Sequence, residues 1–135
     1  MALPNDPKST KSIKSLQVPV AVTSTANGSG VDFGDCDQSG LLVISVGAVT
    51  GTSPTLALKL QESRNNATLD ASGASDAYAD IAGATASLTD ADASSVITVR
   101  VDNRSKRYVR LVKTAGGTSP SFTMSAVFIA DKKTF

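Results

Sequence analysis

A period of two in the apolar residues constrains this chain more than any other feature. Leu42, Ile44 and Val46 fall on one side only if the backbone is extended, because a strand turns successive side chains to opposite faces. The same alternation runs through Val18, Val20 and Val22, through Leu56, Leu58 and Leu60, through Ile97, Val99 and Val101, and through Phe122, Met124, Ala126 and Phe128. No stretch keeps a helical period beyond a turn or two, so the chain reads as all-β. Leu41, Val43 and Val49 make one strand apolar on both sides, as a central strand is. Pro19 has no N–H to give a ladder and marks an edge.

Shorter strands are expected at Tyr78–Ile81 and Ala84–Leu88. Residues 64–76 read as a long connection, and Thr89–Ser95 as a link with room for one helical turn. About eight short strands joined by turns predict an eight-stranded antiparallel β-sandwich, jelly-roll-like, over residues 16–135. A chain of 135 residues suffices for one such domain without disulfides or metal. Residues 1–15 hold Pro4, Pro7, Lys8, Lys11 and Lys14 without apolar periodicity, and read as an extended, flexible basic arm. One phrase occurs twice: Gly-Thr-Ser-Pro at Gly51–Pro54 and again at Gly117–Pro120, each between two apolar runs. Glycine permits positive φ, the hydroxyls bond nearby backbone and proline fixes φ, so both copies are expected to be hairpin loops of the scaffold.

The chemistry of the side chains narrows function. The chain has no histidine, which removes histidine triads, histidine-ligated metals and histidine general bases. Cys36 stands alone between Asp35 and Asp37, which raise a thiol's pKa rather than activate it. No phosphate-binding glycine motif is present. "DCDQSG" at Asp35–Gly40 matches the opening of an EF-hand loop, but Val46 stands where the bidentate Glu belongs. Asp32, Asp35 and Asp37 are therefore read as turn carboxylates, with a weak Ca²⁺ site as the alternative. The chain is expected to be no enzyme and to hold no cofactor. A net charge of +1 argues against nucleic acid as partner, and no apolar run reaches membrane-spanning length.

Charge is unevenly spread. Five Asp and no cation lie between Asp70 and Asp92, whereas six Lys or Arg and one Asp lie between Arg100 and Lys113. Pairing of Ile97–Asp102 with Lys106–Leu111 as a hairpin would place Arg100 and Arg110 on one face, with Arg104, Lys106 and Arg107 at its tip and Tyr108 beside them. Arginine forks suit carboxylate recognition, so this cluster is the expected docking face for a protein partner. The alternative is a solvated, charge-protected edge.

"VGAVTGTSPTLALKLQES" (Val46–Ser63) followed by "AYADIAGATASL" (Ala77–Leu88) resembles a pattern of small β-sandwich virion proteins of tailed bacteriophages, among them capsid decoration or cement proteins. Asn65-Asn66 stands where that pattern more often has Asp-Gly, and Tyr78 where it often has Trp. The resemblance implies a jelly-roll-like domain on the capsid exterior, made in the host cytoplasm, that binds the major capsid protein and staples neighbouring shell subunits. The arm lysines Lys8, Lys11 and Lys14 would reach an adjacent subunit, and self-association is open. A minor tail or head-fibre part with a receptor- or carbohydrate-binding role is the alternative.

Overall fold

The computed structural model describes residues 11–67 and 75–132. It is almost entirely β. The strands are β1 (Lys11–Val22), β2 (Ala26–Asn27), β3 (Val31–Asp32), β4 (Cys36–Ser63), β5 (Ala79–Thr89), β6 (Val96–Val101) and β7 (Tyr108–Lys132). Among the described residues they form one antiparallel sheet of seven strands rather than the two separate sheets of the expected sandwich. The two expected short strands before Thr89 are one strand, β5. The link after it holds a 3₁₀ turn (Asp90–Asp92), capped by Thr89 and Asp92 in a reciprocal capping box.

Two very long strands organise everything. β4 and β7 pair along almost their whole lengths, from Cys36–Lys132 to Ser63–Tyr108. β6 and β1 flank the pairing of early β4 with late β7. β5, with β2 and β3, flanks the pairing of late β4 with early β7. The sheet thus has two four-stranded regions, ordered β6-β4-β7-β1 and β5-β4-β7-β2/β3. Leu42, Ile44, Phe122 and Phe128 of the first region share one buried cluster with Leu56, Leu60, Val109 and Leu111 of the second. Phe33, which follows β3, meets Phe128 edge to face at 5.0 Å. The sheet therefore bends over its own inner face.

The repeated phrase makes the bend, not a pair of hairpins. Both copies lie inside strands and sit opposite each other, with Thr52 paired to Thr118 and register shifts on either side. Ser53 and Ser119 have φ of 46° and 48°, and Gly51 and Gly117 have φ of 119° and 90°. A Cβ on Gly117 would lie 2.4 Å from the Ser53 carbonyl oxygen, and one on Gly51 would lie 2.7 Å from that of Ser119. Each copy needs glycine because the other copy presses against it.

The boundary of the expected arm also shifts. Lys11–Ser15 are strand, paired with Asp131–Val127, because Ser12 and Leu16 are buried at the margin of the core. Residues 1–10, including Lys8, lie outside the described residues. β1 is the edge strand that Pro19 announces, and its register breaks between Gln17 and Val20.

Candidate docking surface

The expected β6–β7 hairpin does not form. β6 pairs with β4, and the connection 102–107 carries the chain across to β7. Arg100 therefore lies on the outer face of the first region and Arg110 on that of the second. β4 takes β7 on one edge and β6 on the other, where local sequence favoured the nearer partner.

Arg104 does not crowd a tip. It is 4% exposed, and its guanidinium donates to the carbonyls of Lys106 (2.8 Å) and Cys36 (3.0 Å) and to that of Asp37. Burial pulls its pKa down, yet arginine remains charged. Its Nε, also buried, has no hydrogen-bond partner among the described residues. The guanidinium lies 5.9 Å from the Phe33 ring centre. Beside it, buried Glu62 accepts from Ser105 N (2.8 Å), Ser105 Oγ (3.0 Å) and Lys106 N (3.1 Å). A cation and an anion thus pin the loop from below through charge-assisted bonds to backbone groups.

The other members of the cluster meet carboxylates or amides of the same chain. Arg107 forks onto Asp32 at 2.7 and 2.6 Å. That fork, with help from Gly34 N, lowers the Asp32 pKa from 3.8 to about 2 and raises that of Arg107. Lys106 lies 3.0 Å from Asp76, which Arg64 also approaches at 3.7 Å. Arg110 donates twice to Gln61 Oε1 and stacks on Tyr78, 4.2 Å from its ring centre. Tyr108 lies under Arg107 at 5.5 Å. Arg100 holds Asp102 at 2.9 Å. Of the expected arm contacts, Lys11 pairs with Asp131, and Lys14 donates to the Asp32 carbonyl and lies over Phe33. The acidic middle meets cations within the chain, through Asp76 with Lys106 and Asp80 with Lys59.

Asp32 is thus committed to Arg107 and to the turn at Gly34, and no group of acidic, Cys or His side chains suited to a metal occurs among the described residues. The Cys36 thiol is buried, and burial together with Asp35 pushes its pKa up. An open groove runs between Phe33–Ser39 and Arg104–Arg107. Its floor is structural, since Arg104 takes the carbonyls of Cys36 and Asp37. No described helix is long and apolar enough to cross a membrane.

The outer face of the first region carries a further feature, an apolar patch that crosses three strands. Ile13, Ile129 and Leu41 form one cross-strand row, and Val127 and Val43 sit side by side in the next. Its signal was present in the double-sided apolarity of Leu41–Val49, which burial between neighbours explained equally well.

No protein-family model and no curated protein matches the chain. Among solved structures, it is similar to the crystal structure of the SPBc2 prophage-derived protein YomS, at 13% identity and a TM-score of 0.44, over 89% of this chain and 93% of that one. A likeness that distant carries no argument about function.

Proposed function

We propose that this chain is a structural protein of a bacteriophage virion that binds the outside of the assembled capsid and bridges neighbouring shell subunits without catalysis. The observation that carries the reading is where its two virion-like phrases lie. Val46–Ser63 is β4 through its bend, and Ala77–Leu88 supplies most of β5, which pairs with it from Thr55–Thr89 to Glu62–Ala79. The resemblance thus falls on one contiguous piece of the sheet rather than on scattered turns.

On this reading Arg104 and Glu62 hold the loop, while Arg107, with its side chain 56% exposed, makes the contact with the major capsid protein. Its present carboxylate partner, Asp32, is exposed too, so exchanging it for a shell carboxylate costs little. A ligand that binds only the assembled shell stabilises it by mass action, and many copies add up small contributions. The carbohydrate-binding alternative has less support, since Tyr78 and Tyr108 each already have an arginine at the ring.

Quantitative mass spectrometry of gradient-purified virions tests the reading. The expected result is a copy number comparable to that of the major shell protein, and a lower capsid melting temperature in particles lacking the chain. A handful of copies would move the assignment to a tail or fibre part. Absence from the particle would overturn the virion reading.

A further inference from the structure

We propose that the outer face of the region β6-β4-β7-β1 is a self-association surface, on which a second copy of this chain stacks face to face across a two-fold axis. The inference stands apart from the virion reading.

The two outer faces of the bent sheet differ in kind. On the second region the outward residues are Lys59, Gln61 and Arg110, bonded to one another or to Asp80, with Tyr78 stacked on Arg110. That face is polar and internally closed. On the first region the outward residues of three adjacent strands include an apolar patch of Ile13, Ile129, Leu41, Val127 and Val43, bordered by Ser15, Ser45 and Ser125. Ile13 is 57% exposed and Leu41 37%. An antiparallel sheet with one buried face normally turns polar residues outward. A contiguous apolar patch on such a face marks an interaction site.

Charge at the border favours a second copy over a charged partner. One end of the face carries Lys11 bonded to Asp131 on β1 and β7, and Arg100 bonded to Asp102 on β6. All four side chains point to the apolar side, and together with Leu41 and Ile129 they line one shallow groove. Two cations and two anions leave the border neutral. A two-fold axis running along the strands between β4 and β7 sets β1 of one copy over β6 of the other. Each Lys11–Asp131 pair then meets an Arg100–Asp102 pair, an arrangement that complements itself.

The alternative contact, edge to edge through β1, is interrupted beyond Ser15. Pro19 and the register breaks around Gln17 interrupt the ladder that such pairing needs. Four strands at ~4.8 Å spacing give a face ~20 Å wide, and stacked sheets pack ~10 Å apart. Such a patch buries on the order of 600 Å² per copy, the lower end for specific interfaces, so the dimer forms with Kd around the micromolar range.

Sedimentation equilibrium of the full chain tests this between about 1 and 200 µM, a range that brackets such a Kd. The expected mass rises from 13.8 kDa toward twice that value. Leu41→Lys with Ile129→Lys should stay monomeric throughout, while Ser87→Lys, on the opposite outer face, should dimerise like the unaltered chain. Should the double variant fail to fold by circular dichroism, Ile13→Lys decides, because Ile13 lies on an exposed edge; it should weaken Kd by about tenfold or more. A monomer at every concentration, a dimer indifferent to these changes, or open-ended growth beyond two copies would each overturn the proposal.

Discussion

Arg104 shows what a residue count leaves out. Six cations in a short stretch read as a docking surface, but a guanidinium that reaches three carbonyls from 4% exposure is a fastener. Arg104→Ala should cost roughly 2–4 kcal/mol in urea unfolding, because it strips donors from the buried carbonyls and leaves a void. Arg104→Lys, a point charge in place of a fork, should recover only part of that. A loss below about 0.5 kcal/mol for the Ala variant, the size of a surface substitution, would return Arg104 to the surface role. Asp32 gives the pH counterpart. Its carboxyl titrates near 3.8 when free and near 2 when forked by Arg107, so its contribution is complete above about pH 4 and is lost as pH falls toward 2. Solvent screening of so exposed a pair holds the contribution to about 1 kcal/mol or less. Asp32→Asn should therefore flatten part of the stability slope between pH 4 and 2, and an unchanged slope would remove the fork from the balance. The sequence supplied the charges but not these pairings, since Asp32 and Arg107 stand 75 residues apart and only the sheet register unites them.

Among the elements, the alternation made nearly every strand legible, while the bend was hidden in plain view. The residues that β7 gives to the core cluster are odd-numbered at Val109 and Leu111 and even-numbered from Phe122 to Ala130, so the phase flips across Gly116–Pro120. A phase flip within one strand and a hairpin between two strands leave the same pattern, and local sequence cannot separate them. Contacts between the two copies can. Ser119 occupies a left-handed φ that glycine tolerates better, yet glycine also gains entropy in the unfolded chain, so Ser119→Gly should change stability by less than ~0.5 kcal/mol. Gly117→Ala should lose ~2 kcal/mol or more, since it adds a Cβ at φ 90° against the Ser53 carbonyl. Equal effects in the two variants, measured by urea unfolding, would mean that the copies do not press on each other.

For the molecule as a whole, one bent sheet concentrates its dependence on edges. Each region of the sheet has only four strands, so an edge strand is a quarter of it. β1 is such an edge, and its first residues are the ones that sequence assigns to an arm. Lysines spaced among Ser and Thr carry no apolar signal, and Ser12 is buried beside Cys36, to which its side chain hydrogen-bonds. Lys14 lies over the Phe33 ring, and Lys11–Lys14 pair with Asp131–Phe128, covering the flank of late β7 next to the largest core side chains. Deleting residues 2–14 should therefore lower the melting temperature by roughly 5 °C or more, a shift that a lost kilocalorie or two produces in a domain of this size. An arm would leave it unmoved. If calorimetry finds the same melting temperature with and without residues 2–14, the pairing of early β1 contributes nothing to the fold, and the basic segment is free to serve a neighbour instead.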